Sequence, residues 1–407
     1  MPGTVGDLST DDRQRALTGV PEHNDLLVVQ VLVFVLSNFG KGLTKTPGGG
    51  QINTTSIILF ERPLLDHMDT TEYITQRIKS LKENSNEIRE QSTVTNDFDS
   101  WSVLKLILHS AAVNMYTTVC QNNKFDDLYY IDALAGSGVS TYDDGDACFL
   151  GSPIIAAKVA DNPFDKMYFI EHDSEKAEAL ERRLDFVFEN YNDVAEPEEW
   201  QVWDEDANEA IPEIIEDIWQ SSGDTFNYFC FVDNQGTNMK WSSIDEMIPK
   251  PWGDLLINIP TASAIGRNIT STPVPQETYE FFCCDLDEIE IPETGVRSRA
   301  IELYQDCLSR NGRPVQEIVN VDSGVGSYEY DLIYATRDIP DGNEYMKVIE
   351  YVKEFIEDID GEDVDNILDI LYGNQMSATR FMPSKEIDDE IFQDHNVEDD
   401  QTGLTEF

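Results

Sequence analysis

Five strand-like runs follow one another along this chain with helical stretches between them, and that alternation leaves few folds open. The runs are 128–133, 167–171, 200–203, 228–233 and 254–259, rich in Tyr, Phe, Ile and Val. Helical spacing occupies 153–160, 174–188, 207–219 and 242–248. Strands separated by helices are parallel, because an antiparallel neighbour needs only a short turn. Continuous apolar stretches such as Phe229 to Val232 suit strands covered on both faces. The expected fold class is therefore α/β, with a doubly wound, mostly parallel sheet.

Beyond Ile259 the alternation stops. Residues 275–310 read as helical or irregular, and the runs 315–321 and 328–336 are then joined by the short link Asp322-Ser323-Gly324-Val325-Gly326-Ser327. So brief a connection predicts an antiparallel hairpin. Five parallel strands closed by a hairpin resemble the seven-stranded fold of class I methyltransferases. Around it we read an N-terminal extension, 1–66, with apolar runs at 26–36 and 55–60 that fit a strand pair, an added sheet edge or an upstream segment. A helical lead-in, 67–122, follows. Its first helix is predicted over 70–92, and its second presents Trp101, Leu104, Leu108, Ala111, Ala112, Met115 and Val119 on one face, with Asp97 or Asp99 as cap. The α/β domain spans 123–382, with a helical insert at about 271–312 and C-terminal helices at about 343–372; 383–407 reads as an acidic tail.

The 79 acidic and 28 basic residues give a formal charge of −51. Since 40% of the chain is hydrophobic and 10% aromatic, a wholly disordered acidic polymer is excluded. The acid is spread between apolar segments and not gathered in blocks, which suits adaptation to high intracellular salt, as in halophilic archaea. At ~1 M salt the Debye length is only ~3 Å, so self-repulsion is largely screened. The charge thus says little about partners; no basic stripe with interleaved aromatics points to nucleic acid. Six cysteines without a Cys-x-x-Cys pair argue against a disulfide scaffold, a zinc ribbon or an iron–sulfur cluster, so no metal ligands are assigned. No secretory leader is read, and the apolar run 26–36 is too short to span a bilayer, so a soluble cytoplasmic protein is expected.

Chemistry concentrates at the predicted strand tips. Tyr130-Ile131-Asp132-Ala133-Leu134-Ala135-Gly136-Ser137-Gly138 runs from strand into a small glycine-containing turn, which lets backbone approach a nucleoside-bearing ligand. A dinucleotide fingerprint needs a third glycine entering a helix, but Thr141 stands there, and no helix follows. The Asp-x-x-Ala-Gly-x-Gly form is similar to the first motif of S-adenosylmethionine (SAM) enzymes. Glu171 closes the second strand and can accept from both ribose hydroxyls, leaving Asp173 to cap the next helix. Asp206-Ala207-Asn208 suits either an adenine edge or a helix cap. At the fourth tip, Asp233 can take a proton or orient a nucleophile, and Asn234 and Gln235 can hold an amide or base edge. No Pro-Cys pair supports a covalent cytosine mechanism, and no proline follows Asp233 as in amino-methyltransferases. Arg267 suits either an anion in the cleft or an internal ion pair.

The ordered set Trp101-Ser102-Val103-Leu104-Lys105, Asp132 to Gly138, Gly151-Ser152-Pro153, Phe169 to Asp173, Asp206-Ala207-Asn208, Asp233 to Gly236 with Lys240-Trp241, and Asp254 to Pro260 resembles the three-Cys-motif partner proteins. Tyr372-Gly373-Asn374-Gln375 and Phe381 are similar to that family's ending. The resemblance covers roughly 97–382. It implies a class I methyltransferase-like sheet and a partner, a radical-SAM-like protein bearing a three-Cys motif; it implies no particular reaction. Asp233-Asn234 stands where the family usually has Asp-Pro. Lys105 matches a family lysine that either reaches the cofactor or lies along Leu104 and Leu108. The expectation is a SAM-binding methyltransferase-like protein with Asp132, Ala135, Gly136, Gly138, Glu171, Asp206 and Ala207 at the cofactor, acting on nucleic acid or on its protein partner. The alternative is a non-catalytic partner protein that keeps the fold.

Overall fold

The computed structural model describes residues 68–372 apart from 124–126, 143–146, 193, 223–225, 249–251, 262–264, 287–290, 293, 325–328 and 340–342. The apolar runs at 26–36 and 55–60, the acidic tail, and the ending motif beyond Tyr372 lie outside the described residues.

Seven strands form one sheet: β2 (Leu128–Asp132), β5 (Lys166–Ile170), β6 (Glu199–Trp203), β7 (Asn227–Asp233), β8 (Trp252–Ile259), β9 (Val315–Asp322) and β10 (Glu329–Thr336). Their spatial order is β6-β5-β2-β7-β8-β10-β9. Neighbours from β6 through β8 are parallel, and β10 is antiparallel to both β8 and β9. The expected doubly wound sheet with its closing hairpin is thus present. Chain order reverses direction across β2, so the carboxyl ends of β5, β2 and β7 flank a crevice.

A separate three-stranded sheet joins β1 (Asn96–Asp97), β3 (Val139–Tyr142) and β4 (Ala147–Leu150) in the order β1-β3-β4. From the sequence, only the lack of a helix after Thr141 is legible here. Strands this short carry too little periodicity to be seen, and β1 has only two residues. Their effect is to hold the segment before the second lead-in helix over the crevice.

The helices are α1 (Thr70–Lys82), α2 (Ser85–Arg89), α3 (Ser102–Asn123), α4 (Ser152–Val159), α5 (Ser174–Asn190), α6 (Ala207–Ser222), α7 (Trp241–Met247), α8 (Gly266–Ile269), α9 (Gln276–Phe281), α10 (Val296–Arg310), α11 (Lys347–Glu357) and α12 (Gly361–Tyr372). Asp69 caps α1 through its side chain, accepting from the amides of Thr71 and Glu72. The single helix expected over 70–92 is broken at Asn84, whose φ of 65° is left-handed. Asparagine tolerates that conformation better than most residues, so the apolar spacing continues while the axis does not. Asp173 caps α5 as expected, its Oδ1 accepting from Glu175 at 3.0 Å and Lys176 at 3.2 Å.

Alternation along the central strands divides the core. Tyr130, Phe229, Phe231 and Leu256 face one side with α1, α3, α4, α5 and α11. Tyr129, Ile131, Cys230, Val232 and Ile257 face the other with α6, α7 and α10. This period of two, in strands buried on both faces, is why they read as continuous apolar runs. Helix α3 lies at the centre of the first layer: Ser102–Gln121 is apolar and long enough to cross a membrane, yet its most apolar 18-residue stretch is 89% buried inside the fold. Its Tyr116 ring meets Phe229 at 5.6 Å, and its His109 ring meets Phe231 at 4.5 Å.

Candidate functional site

A cleft of about 540 Å³ opens at the carboxyl ends of the parallel strands. Its walls come from the turn after β2, the tips of β5 and β7, the start of α6, the loop before α7, and the segment from Asn96 to Lys105. Ala135, Gly136, Glu171, Asp206, Ala207, Asp233 and Gln235 all line it. The structure therefore gathers seven of the ten residues singled out from the sequence.

Gly136 has a φ of +63°, where a side chain is strained, and a Cβ there would stand 2.5 Å from Asn96 Nδ2. The Asn96 side chain accepts from the amide of Ser137 at 3.2 Å, tying the β1 segment to this turn. Arg183, buried in α5, fastens the same region, donating to the carbonyls of Ser137, Ser92 and Val94. The turn is held from both sides before any ligand arrives.

Glu171 is buried and already partnered: Oε2 accepts from the Gly136 amide at 2.9 Å, and Oε1 from the Asp173 amide at 2.9 Å. His172 Nδ1 is 3.2 Å from the same Oε1 on an exposed ring. A carboxylate offers about four acceptor sites, so two amide bonds leave capacity for a diol. Asp206 does double duty as well. Its Oδ1 accepts from the Asn208 amide at 2.8 Å, opening α6, while the residue faces the cleft. Asn208 then bridges to the far loop, accepting from the Lys240 amide at 2.8 Å and the Ser243 hydroxyl at 2.9 Å.

Asp233 forms the floor at the β7 tip. Lys105 of α3 reaches it with Nζ 2.6 Å from Oδ2 and 2.9 Å from Oδ1, both side chains mostly buried. Asn258 Nδ2 donates to Oδ1 at 2.9 Å. Lys105 lines the cleft but is engaged with Asp233, so neither sequence-based role for it accounts for this contact.

Three of the ten residues do not line the cleft. Asn234 is fully buried; its Nδ2 donates to the Asn258 carbonyl at 3.0 Å and its Oδ1 accepts from the Met239 amide at 3.2 Å. That makes it a clamp between the β7 and β8 tips. Gly138 takes a φ of +78°, and a Cβ there would come 2.8 Å from Leu180 Cδ1, so it serves helix–turn packing beneath the cleft. Asp132 is fully buried behind the turn, and burial pushes its carboxyl up to about 7, against hydrogen bonds from Ser152 and Tyr130. Tyr130 Oη donates to Asp132 Oδ2 at 3.1 Å and lies 2.9 Å from His109 Nε2, where burial depresses the imidazole to about 3 and keeps it neutral. Arg267 on α8 is not among the lining residues.

The sequence missed the near wall. Asn96, Asp97, Phe98 and Asp99 line the cleft, with the Phe98 ring 5.5 Å from Phe149. Burial raises the Asp99 carboxyl, with Lys105 pulling it back. Nothing in a mixed polar stretch announces a wall; only its pairing with β3 creates one. Carboxylates dominate the lining, namely Asp97, Asp99, Glu171, Glu205, Asp206 and Asp233, against Lys105 and Lys176.

Numbered along the chain, the seven strands of the main sheet lie in the order 3-2-1-4-5-7-6, with the seventh antiparallel, which is the class I methyltransferase fold. No protein-family model and no curated protein matches the sequence. Among solved structures, protein LPL1258 from Legionella pneumophila, of family model DUF519, is similar at 11% identity over 60% of this chain and 91% of that one, TM-score 0.35. Trm1 from Pyrococcus horikoshii, solved with S-adenosyl-L-methionine, is similar at 13% identity over 64% of this chain and 58% of that one, TM-score 0.31. The small RNA methyltransferase HEN1 is similar at 9% identity over 56% of this chain, TM-score 0.30, and the alignment spans 26% of its length. The fold assignment rests on the strand order and directions of this chain's own sheet.

Proposed function

We propose that the cleft binds S-adenosylmethionine and that the chain is a methyltransferase-like protein. The observation that carries this is the convergence of Gly136, Glu171, Asp206 and Asp233 on one cleft at the point where strand order reverses. The Gly136 turn gives close backbone approach, Glu171 accepts from the ribose, and Asp206 with Ala207 meets the adenine edge. An acidic lining suits a ligand with a sulfonium and an ammonium better than a pyrophosphate. SAM supplies the electrophilic methyl group. Asp233, held by Lys105 and Asn258, faces the acceptor and orients its nucleophile, with Gln235 beside it.

The acceptor is left open between nucleic acid and protein. The family resemblance supports a radical-SAM-like, three-Cys-motif protein as partner. The second reading is a non-catalytic partner protein, favoured by how fully the Asp233 carboxylate is engaged.

Calorimetry in molar salt with SAM, and with a nicotinamide dinucleotide as control, tests the reading. Binding of SAM alone is expected, and a folded protein silent toward SAM overturns it. Gly136→Val, which drives a branched side chain toward Asn96, is expected to weaken SAM at least about tenfold with the sheet intact by circular dichroism. Unchanged affinity would sink the glycine-turn assignment.

A further inference from the structure

Away from the cleft, three sulfurs sit together in the insert between β8 and β9. Cys283 and Cys284 follow α9, Cys307 lies on α10, and their Sγ atoms are all within 4.8 Å of one another. Cys283 and Cys307 are joined as a disulfide that closes a span of 24 residues, while Cys284 beside them is a free thiol, half-buried. Cys120, Cys148 and Cys230, the other cysteines, are each buried in the core.

One feature of the surroundings fits sulfur that carries negative charge. The amide of Cys283 donates toward Cys307 Sγ at 3.3 Å. Against it, burial raises the Cys284 thiol, a shift that Arg310 and Arg299 oppose and that Asp285 and Asp306 reinforce. Those two arginines sit on α10, the helix that carries Cys307.

We propose that Cys283, Cys284 and Cys307, once the disulfide is opened, form a binding site for a thiophilic divalent metal ion of the zinc class. Opening takes two thiol equivalents: a small thiol reductant passes two electrons and two protons to the Cys283–Cys307 bond and leaves as its own disulfide. The metal then displaces three thiol protons and forms three metal–sulfur bonds. With Zn–S near 2.3 Å, tetrahedral geometry sets the sulfurs ~3.8 Å apart, so the bonded Cys283 and Cys307 sulfurs part to that distance once reduced while Cys284 closes on them by ~1 Å or less. Three thiolates select zinc-like ions over magnesium or calcium, which take oxygen. Three ligands leave a fourth position open, and the complex carries one net negative charge; the nearby Arg310 and Arg299 are themselves paired with Asp306 and Glu302.

The site ties to the cleft by position. Glu280, in α9 just before the two cysteines, pairs with Lys240 at 3.1 Å, next to the loop residues Asn238 and Met239 of the cleft lining. Metal and disulfide are thus alternative closures of one insert.

The test uses the full chain in molar salt, reduced with a phosphine, freed of it anaerobically, and titrated with Co²⁺. One equivalent is expected to give thiolate-to-cobalt absorption that Zn²⁺ displaces. Cys284→Ser and Cys307→Ser are each expected to weaken binding at least about tenfold, with folding checked by circular dichroism. Cys284→Ser leaves the disulfide pair untouched, so its fold in the oxidised state is a direct control. The unreduced chain is expected to stay silent. Absence of the absorption in the reduced chain, Cys284→Ser binding as tightly as the native sequence, or a Cys283–Cys307 bond that resists reduction in the folded protein would each overturn the assignment.

Discussion

Replacing Asp132 with asparagine is expected to stabilise the protein above neutral pH and to do little in acid. The carboxyl is buried, with Tyr130 donating to Oδ2 at 3.1 Å, and burial pushes it up to about 7. An unfolded aspartate loses its proton near 3.9. Between those values the folded state binds more protons than the unfolded state, so this group's contribution falls as pH rises from about 4 to about 7. The shift is about 3 units, at ~1.4 kcal/mol each, so the penalty at pH 8 is on the order of 4 kcal/mol. Asparagine keeps the shape and the acceptor for Tyr130 but does not titrate. Neutral His109 works the other way, since its depressed imidazole favours the folded state as pH rises, but that contribution is common to both proteins and cancels. Repulsion within a chain of charge −51 cancels in the same way. The assay is urea unfolding of both proteins in constant molar salt at pH 5 and pH 8. The variant's advantage should grow by about 3 kcal/mol between the two, the part of the window from pH 5 to about 7. A difference independent of pH would mean that Asp132 is ionised throughout and that the reasoning fails.

Two further substitutions test the β7 tip. Lys105→Met leaves the Asp233 carboxylate mostly buried without its cation, and a loss of about 1–3 kcal/mol is expected in urea unfolding; adding Asp233→Asn should recover most of it, and simple additivity would refute the coupling. Asn234→Ala removes bonds to the Asn258 carbonyl and the Met239 amide, so a loss of about 2–4 kcal/mol is expected. A midpoint unchanged from the native protein would return Asn234 to the acceptor side of the site.

The sheet was legible because its signal is redundant. Most parallel strands are runs of apolar residues too dense for a loop, and several tips meet a polar residue that breaks the run, as in Val232-Asp233 and Ile170-Glu171, while β6 only alternates. Strand ends therefore came out within a residue or two, and the tips drew attention to the cleft. What failed to show was set by long-range pairing. Asn96 and Asp97 form a strand only against Ser140 and Thr141, forty-odd residues on. Lys105 looks like a helix-surface lysine until α3 packs on β7 and brings it to Asp233, 128 residues away. Asn234 shares its tip with Asp233 and Gln235, yet just past the end of β7 its side chain bonds sideways to the Asn258 carbonyl of β8, a pairing no local pattern shows. The sulfur cluster escaped for the same reason: Cys283 and Cys307 lack metal-ligand spacing in the chain and meet only when α10 folds back.

Asn234 at the β7 tip, where the family that the sequence resembles usually has proline, has a physical reading in these contacts. A proline fixes its own φ but donates nothing and bonds to nothing through its ring. Asn234 fixes the same turn differently, by two side-chain bonds, and Asn258 returns the favour with Nδ2 contacts to the Asn234 carbonyl and to Asp233 Oδ1, both at 2.9 Å. The two asparagines therefore stitch β7 to β8 and also hold the Asp233 carboxylate. With Lys105 on both oxygens and Asn258 on one, three donor contacts are already in place. On the proposed reading, a nucleophile's hydroxyl or amine arriving from the cleft would meet a carboxylate whose remaining acceptor capacity is small and whose orientation is set. That arrangement suits, on the proposed methyltransferase reading, alignment of an acceptor by Asp233 better than removal of its proton.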